Sequence, residues 1–389
     1  MTTSVDAFNT PGQLIERLLE ERDWTKKTLA LVLGMDEAAL NRVLAAKRPL
    51  TAEMALMIAE VLPDANAEDL LALQQKHDLA QARLAVMPDT RRQTRAELFG
   101  DLKVNHLLKR GWLAVRDEKD VNAIEQAVNQ FFGKPFAEVM RISHAAKKTD
   151  ANEEATASQI AWIWRVRQLG RLINPGAPYS AQKLRAQLPR LQALMASPEQ
   201  IEKVPGVLLD AGVRLVVVES LPSAKIDGVC LWLDDGSPVI GLSARFDRID
   251  NFWFVLRHEI EHVLNGDGKD DPLGGHLDTD LVGKRASAEP TLPEIEIKAN
   301  KAASNFCVST PAMDTFFEEN NPYFSERKLL EFANECGVHP GILAGQLQHR
   351  TGRYDRFRAH LEKVRAHLVK SAVTDGWGNL PQTSEKGAL

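Results

Sequence analysis

Cysteine and tyrosine are scarce in this 389-residue chain, with three of each, and aromatic residues make up only 6% of it. Cys230, Cys307 and Cys336 are odd in number and far apart, and no Cys-x-x-Cys pair occurs. That excludes a disulfide scaffold and a thiolate zinc site. No run of about 18 apolar residues is present, so no membrane span is expected. The first residues carry neither the charged nor the apolar segment of a secretion signal, so a cytoplasmic protein with no membrane partner is expected. With 44% hydrophobic and 26% charged residues, collagen-like and wholly disordered classes drop out.

What is present is a length suited to two or three domains and an uneven charge. The formal net charge is −5 overall, but −5 over residues 1–80, +7 over 81–200 and −7 over 201–389. The average therefore conceals a basic middle, including Arg91, Arg92, Arg95, Arg110, Arg165 and Arg171, that could face an anion. A solvated face opposing acidic neighbours is the plainer use of those charges.

The pattern along the chain predicts a mostly helical α+β protein. Residues 11–62 read as four short helices, the first from Leu14 to Glu21. Thr25, Asp36 and Thr51 are placed to cap the next three, and Gly34 to end the second. Two short helices joined by a Gly-containing turn form a helix-turn-helix pattern. Helical periodicity continues from Glu68 to about Ser197. Trp162 and Trp164 stand two apart within it, so at least one is expected in a core. The period then shortens. Val213–Ser220 is rich in β-branched residues, and Gly228–Leu233 and Pro238–Ser243 flank a hairpin signal, Asp234-Asp235-Gly236-Ser237. A helix over about Asp250–Leu264 is expected to stop at Gly266. Residues 266–290 read as a loop, and further helices are expected near Glu294–Val308, Ser325–Cys336 and Ile342–His349. The expected divisions are 1–85, a helix-turn-helix domain; 86–205, a basic helical middle; 206–370, a small sheet with its helices; and 371–389, a flexible tail.

The strongest chemical signal is Arg257-His258-Glu259-Ile260-Glu261-His262, an H-E-x-x-H motif. On a helix, His258 and His262 lie on one face about a turn apart, so both can offer a nitrogen to one ion. Glu259 sits beside them, where a general base would hold the attacking water. A catalytic zinc needs a third protein ligand and an open position. Glu294 and Glu296 are the candidates. They diverge by about 200° on a helix, so only one can reach the ion. Zn²⁺ suits two imidazoles and a carboxylate, and Mn²⁺ or Fe²⁺ would be accepted by the same donors.

Residues 225–265, which run from Lys225-Ile226-Asp227-Gly228 through Asn251-Phe252-Trp253-Phe254 to His262, resemble the core of ImmA/IrrE-type metallopeptidases fused to antitoxin-like regulators. The segment from Glu296 through Ala299-Asn300 to Pro311 resembles that family's downstream signature. The resemblance implies a zincin-like domain with Glu296 as third ligand. Lys298 and Ala302 stand where the family has acidic and aromatic residues, and Glu261 where it has a small one. A later stretch, Gly337-Val338-His339-Pro340-Gly341-Ile342, also resembles the family. His339 opens a helix there and is a candidate hydrogen-bond donor to the transition state, or simply a cap.

Residues 11–83 resemble the helix-turn-helix of HigA/XRE-type antitoxins in the lambda-repressor-like class. The residues that carry this are Leu29-Ala30, Leu33-Gly34, Arg42 and Lys47-Arg48-Pro49-Leu50-Thr51. The third helix would enter the major groove. Asp36 and Glu37 at its start repel phosphates, which leaves Lys26, Lys27, Asn41, Arg42, Lys47 and Arg48 as the candidate DNA contacts.

These readings combine into a DNA-binding transcriptional regulator with a zinc-dependent endopeptidase-like domain. It is expected to cleave a repressor or antitoxin in a stress, phage or toxin-antitoxin switch. Operator DNA and a protein substrate or toxin are the implied partners, and a homodimer is compatible with the class. The alternative is a non-catalytic antitoxin-like autorepressor that uses the peptidase fold to sense a partner or signal. A metal-dependent hydrolase of a non-peptide substrate is a third reading.

Overall fold

The computed structural model describes residues 8–85, 92, 95–146, 155–222, 224–269, 275–279 and 293–378. The chain divides into two compact units, Met1–Arg92 and Gln93–Leu389.

Among its described residues the first unit has five helices: α1 (Pro11–Glu21), α2 (Lys26–Val32), α3 (Glu37–Leu44), α4 (Ala52–Val61) and α5 (Ala67–Ala85). Its caps are those expected from sequence. Thr25 Oγ1 accepts from Thr28 N at 3.0 Å, Asp36 Oδ2 from Ala39 N at 2.9 Å and Thr51 Oγ1 from Met54 N at 3.2 Å. Each satisfies an orphan amide of its helix. α1 begins three residues earlier than Leu14, because Thr10 caps it and Pro11 takes the first helical position. Ile15, Leu29, Leu40, Ile58 and Leu70 are fully buried and form the core.

Among the described residues of the second unit the α-helices are α6 (Val104–Lys109), α7 (Val121–Phe132), α8 (Phe136–Ala146), α9 (Ala157–Arg171), α10 (Ala181–Ala193), α11 (Val204–Leu209), α12 (Ile249–Asn265), α13 (Glu294–Cys307), α14 (Thr310–Asn320), α15 (Glu326–Glu335), α16 (Pro340–Thr351) and α17 (Arg365–Ser371). They surround one mixed sheet of five strands: β1 (Arg214–Val218), β2 (Ile226–Trp232), β3 (Pro238–Leu242), β4 (Gly275–Thr279) and β5 (Val373–Asp375). The order is β4-β2-β3-β1-β5. β1 runs parallel to β3 and β5, and β2 runs antiparallel to β3 and β4. Parallel strands need cover on both faces, and side chains that alternate along the strands supply it. Leu215, Val217, Cys230, Ile240 and Leu242 face α11 and α12 on one side, with α10 and α16 packed behind them. Val216, Val218, Val229, Leu231 and Val239 meet α7 and α9 on the other.

Three expectations are corrected here. The boundary at 205/206 does not separate compact units. The helical middle is one of the two layers that cover the sheet, and Trp162 is fully buried in it with its Nε1 donating to Val218 O at 2.9 Å. The stretch 266–290 is not all loop, since 275–279 forms β4 at a sheet edge; most of the remainder lies outside the described residues. The flexible tail does not begin at 371. β5 extends the sheet, and Asp375, 1% exposed, accepts from Trp112 Nε1 at 3.0 Å and from Arg165 Nε at 2.5 Å. Residues 379–389 lie outside the described residues.

The basic middle is also partly spent inside this unit. Arg110 bonds the carbonyls of Glu219 and Ser220, Arg165 pairs with Asp375, Arg171 with Asp234 and Arg190 with Asp210. Arg110 and Arg165 are largely buried and tie the helices to the sheet, whereas the pairs of Arg171 and Arg190 are exposed, as a solvated face would be.

Candidate metal centre and nucleic-acid interface

α12 carries the H-E-x-x-H motif because two patterns coincide on it. Ile249, Phe252, Trp253, Leu256, Ile260 and Val263 recur at helical spacing and are buried. Each such side chain contributes roughly 1.5–3 kcal/mol by leaving water, which anchors the helix against the sheet. The motif then sits within the packed interior, and His258, Glu259 and His262 are all 0% exposed. The helix ends where Gly266 adopts φ 79°, a conformation that costs glycine little. That turn folds the chain back, so Asp267 N donates to His262 O at 3.0 Å. The same turn sets Asp267 Oδ2 2.9 Å from His262 Nδ1.

α13 packs alongside α12 and brings Glu296 in. Glu296 Oε2 is 3.3 Å from His258 Nε2, and Glu296 Oε1 is 3.6 Å from His262 Nε2. The two Nε2 atoms are 2.9 Å apart. Glu296 is buried, whereas Glu294 is exposed. One turn beyond Glu296, Asn300 Oδ1 lies 3.1 Å from His258 Nδ1. Among the described residues, His258, His262 and Glu296 are the only group of three or more histidine, cysteine or acidic side chains whose donor atoms converge closely enough to hold one ion.

The donor chemistry fits a divalent cation. An ionised carboxylate only accepts, so Asp267 fixes the proton of His262 on Nδ1, and Asn300 Oδ1 does the same for His258. Both Nε2 lone pairs then face one another and a carboxylate, an arrangement that repels itself unless a cation lies between. Ligands about 2.0–2.1 Å from a tetrahedral zinc lie roughly 3.3 Å from each other, close to the separations seen.

Glu259 packs against β2 at Gly228. A Cβ on Gly228 would overlap the Glu259 carboxylate, so this position in the strand accommodates only glycine without displacement. Sequence reasoning placed Glu259, His258, His262 and Glu296 but did not assign Asn300, Asp267 or Gly228. Asn300 follows Glu296 by four residues on one helix face, and Asp267 follows the glycine that stops α12. Both signals were on the chain.

His339 does not join this group. Its Nδ1 accepts from Gly341 N at 3.1 Å, which makes it the N-cap of α16. That end of α16 lies against Ile249, nine residues and so about 13 Å along α12 from His258. The candidate transition-state donor is a helix cap here. Burial holds its pKa below the ordinary 6.5.

In the first unit, α2 and α3 with their Gly34 turn form the helix-turn-helix. Lys27, Arg42, Lys47 and Arg48 are exposed, and Asn41 is half-buried on α3. Lys26 is exposed too but pairs with Glu16. Asp36, which sequence reading set against bound phosphates, turns its carboxylate onto the Ala39 amide.

Comparison with known proteins bears on this unit. Residues 15–63 match the helix-turn-helix family. That match supports a DNA-binding transcriptional regulator. No curated protein and no solved structure matches the chain. Among the described residues, no helix is long and apolar enough to cross a membrane.

Proposed function

We propose that this regulator carries a metal-dependent endopeptidase in its second unit and uses it to cleave a repressor or antitoxin. One observation carries the reading: the donor atoms of His258, His262 and Glu296 converge in a buried cluster, with Glu259 next in sequence and also buried. The resemblance of residues 225–265 and of the segment Glu296–Pro311 to ImmA/IrrE-type metallopeptidases supports it, as does the pairing of a regulator domain with such a cluster.

His258, His262 and Glu296 would hold the ion, with Zn²⁺ the first candidate and Mn²⁺ or Fe²⁺ compatible with the same donors. When bound, the ion supplies Lewis acidity toward a scissile carbonyl and toward water. The chain's own residues do the rest. Asn300 and Asp267 keep each imidazole in the tautomer that presents Nε2. Glu259 takes a proton from the attacking water and returns it to the leaving amine. Its seat against Gly228 holds it in place. Burial of the cluster raises the strength of every charge interaction there.

The test is metal analysis of purified protein alongside three variants. Wild type is expected to hold about one equivalent of a divalent ion. His258→Ala and Glu296→Ala should lose it. Glu259→Gln should keep the ion, keep DNA binding, and lose cleavage of a peptide library. A wild-type protein with no stoichiometric ion would overturn the reading in favour of a non-catalytic autorepressor.

A further inference from the structure

A cavity of about 720 Å³ opens between α12, α13, α14 and α16. That is the size of a pocket for a drug-sized molecule. None of His258, Glu259, His262 or Glu296 lines it, but Asn300 does. The cavity thus reaches the metal cluster from behind, through the amide that fixes the His258 tautomer.

Its walls define what it would hold. Phe254, Val308, Met313 and Ile342 give an apolar body, and Phe254 also lies against the His258 ring, with centroids 6.3 Å apart. Cys307 on the same wall is buried and its thiol is pushed up to about 12 by desolvation, so it stays protonated and unreactive. Among the charged lining groups, Arg248 is tied to Asp250 through two hydrogen bonds, and both face the cavity. Arg350 differs. It pairs with Asp314 at 2.6 Å, a pair exposed to solvent, and its guanidinium also lies over the Phe317 ring, 4.3 Å from the centroid. An exposed ion pair holds its partners weakly, so the Arg350 guanidinium can exchange Asp314 for an incoming anion while staying over Phe317.

We propose that this cavity binds a small amphipathic molecule, an apolar body bearing one acidic group, and that its occupancy is relayed through Asn300 to His258. The relay rests on the metal reading above; the binding does not. The acidic group faces Arg350, and the body fills the apolar wall. A molecule that shifts Asn300 changes the orientation and basicity of His258, so ligand binding and metal binding become linked and reciprocal.

Anilinonaphthalene sulfonate, an apolar fluorophore with one anionic group, is a direct probe, with phenylnaphthylamine as its uncharged counterpart. The wild-type protein is expected to bind the sulfonate saturably. Ser304→Trp and Thr310→Trp, at two exposed lining positions, are each expected to weaken binding at least tenfold by filling the cavity. Arg350→Ala should weaken the sulfonate about fivefold and leave phenylnaphthylamine within about twofold. If either folded tryptophan variant binds the sulfonate as wild type does, the cavity is not the site and the proposal falls. Equal loss of both dyes in Arg350→Ala overturns the acidic-group assignment.

The relay is read on cobalt-loaded protein. Saturating dye should shift the visible absorption of bound Co²⁺ in wild type and not in Ser304→Trp. Dye and cobalt that both bind without a spectral change overturn the relay. Failure of cobalt to bind at all overturns the metal reading and the relay with it, while the dye titrations still decide the cavity.

Discussion

The carboxylate of Glu261 lies 3.6 Å from the ammonium of Lys298. The pair joins α12 to α13 beside the candidate metal cluster. Glu261 also accepts from Arg257 Nη2 at 2.9 Å, and Lys298 donates to Asn265 Oδ1. The Glu261 carboxylate is occupied by these partners and takes no place among the ligand atoms.

Lys298 is largely exposed, so Lys298→Ala should cost less than about 1 kcal/mol of stability. Glu261→Ala should cost more, about 1–3 kcal/mol, since it leaves the buried Arg257 guanidinium without its acceptor. Both variants should retain wild-type metal content. Denaturant unfolding and metal analysis check the pair, and loss of the ion in Lys298→Ala would contradict the assignment.

Gly228→Ala tests the seat of Glu259. The added Cβ would overlap the carboxylate, so Glu259 must move. Peptide cleavage should fall by about 10²-fold, the scale of a misplaced catalytic group. Metal content should stay near wild type, because the ligands come from other positions. Overpacking should cost about 1–3 kcal/mol of stability. Unchanged cleavage would show that Glu259 is not held by this strand.

Asp375 joins β5 to the helical layer. Asp375→Ala would remove the acceptor of Trp112 and Arg165, and breaking such a buried pair costs about 3–5 kcal/mol. A chain ending at Ser371 should lose at least as much, and its second unit should unfold at a lower denaturant midpoint. A truncation that unfolds like wild type would restore the picture of a dispensable tail.

His339 gives stability a pH dependence. Burial lowers its folded pKa from 6.5, so below about pH 6.5 the unfolded chain binds the proton first. Stability from this residue is therefore present above that pH and declines as pH falls toward the folded value. Protonation also removes the lone pair that caps Gly341. His339→Asn keeps a capping acceptor without the titration, so its unfolding free energy should vary less between pH 7.5 and 5.5 (expected from linkage at about pH 6.5). An unaltered slope would contradict this.

DNA binding should depend on exposed α2 and α3 cations. Lys27→Ala and Arg42→Ala are each expected to reduce the salt slope of operator or nonspecific binding by about 1. Lys26→Ala should do less, since Glu16 already holds it. Asp36→Ala removes a charge that repels phosphate, but it should also cost about 0.5–2 kcal/mol of stability through the lost cap. Gel-shift titrations across salt concentrations and thermal unfolding separate the two effects.

Local features were legible in the chain. Thr25, Asp36 and Thr51 cap helices, Gly34 and Gly266 stop them, and His258 and His262 share a face, because side-chain chemistry and helical periodicity act over four residues or fewer. The tight Asp234–Ser237 hairpin is of the same kind. Long-range pairing emerged only with the packed fold. The middle helices become a layer of the sheet, β5 closes its edge from residue 373, and Arg165 meets Asp375 across 210 positions. The choice of Glu296 over Glu294, the retreat of His339 to a cap and the compensation of Glu261 by Lys298 belong there too. Each depends on which surfaces of α12, α13 and α16 face one another. Burial of apolar area sets that choice, and it is non-directional, so no short spacing in the chain records it.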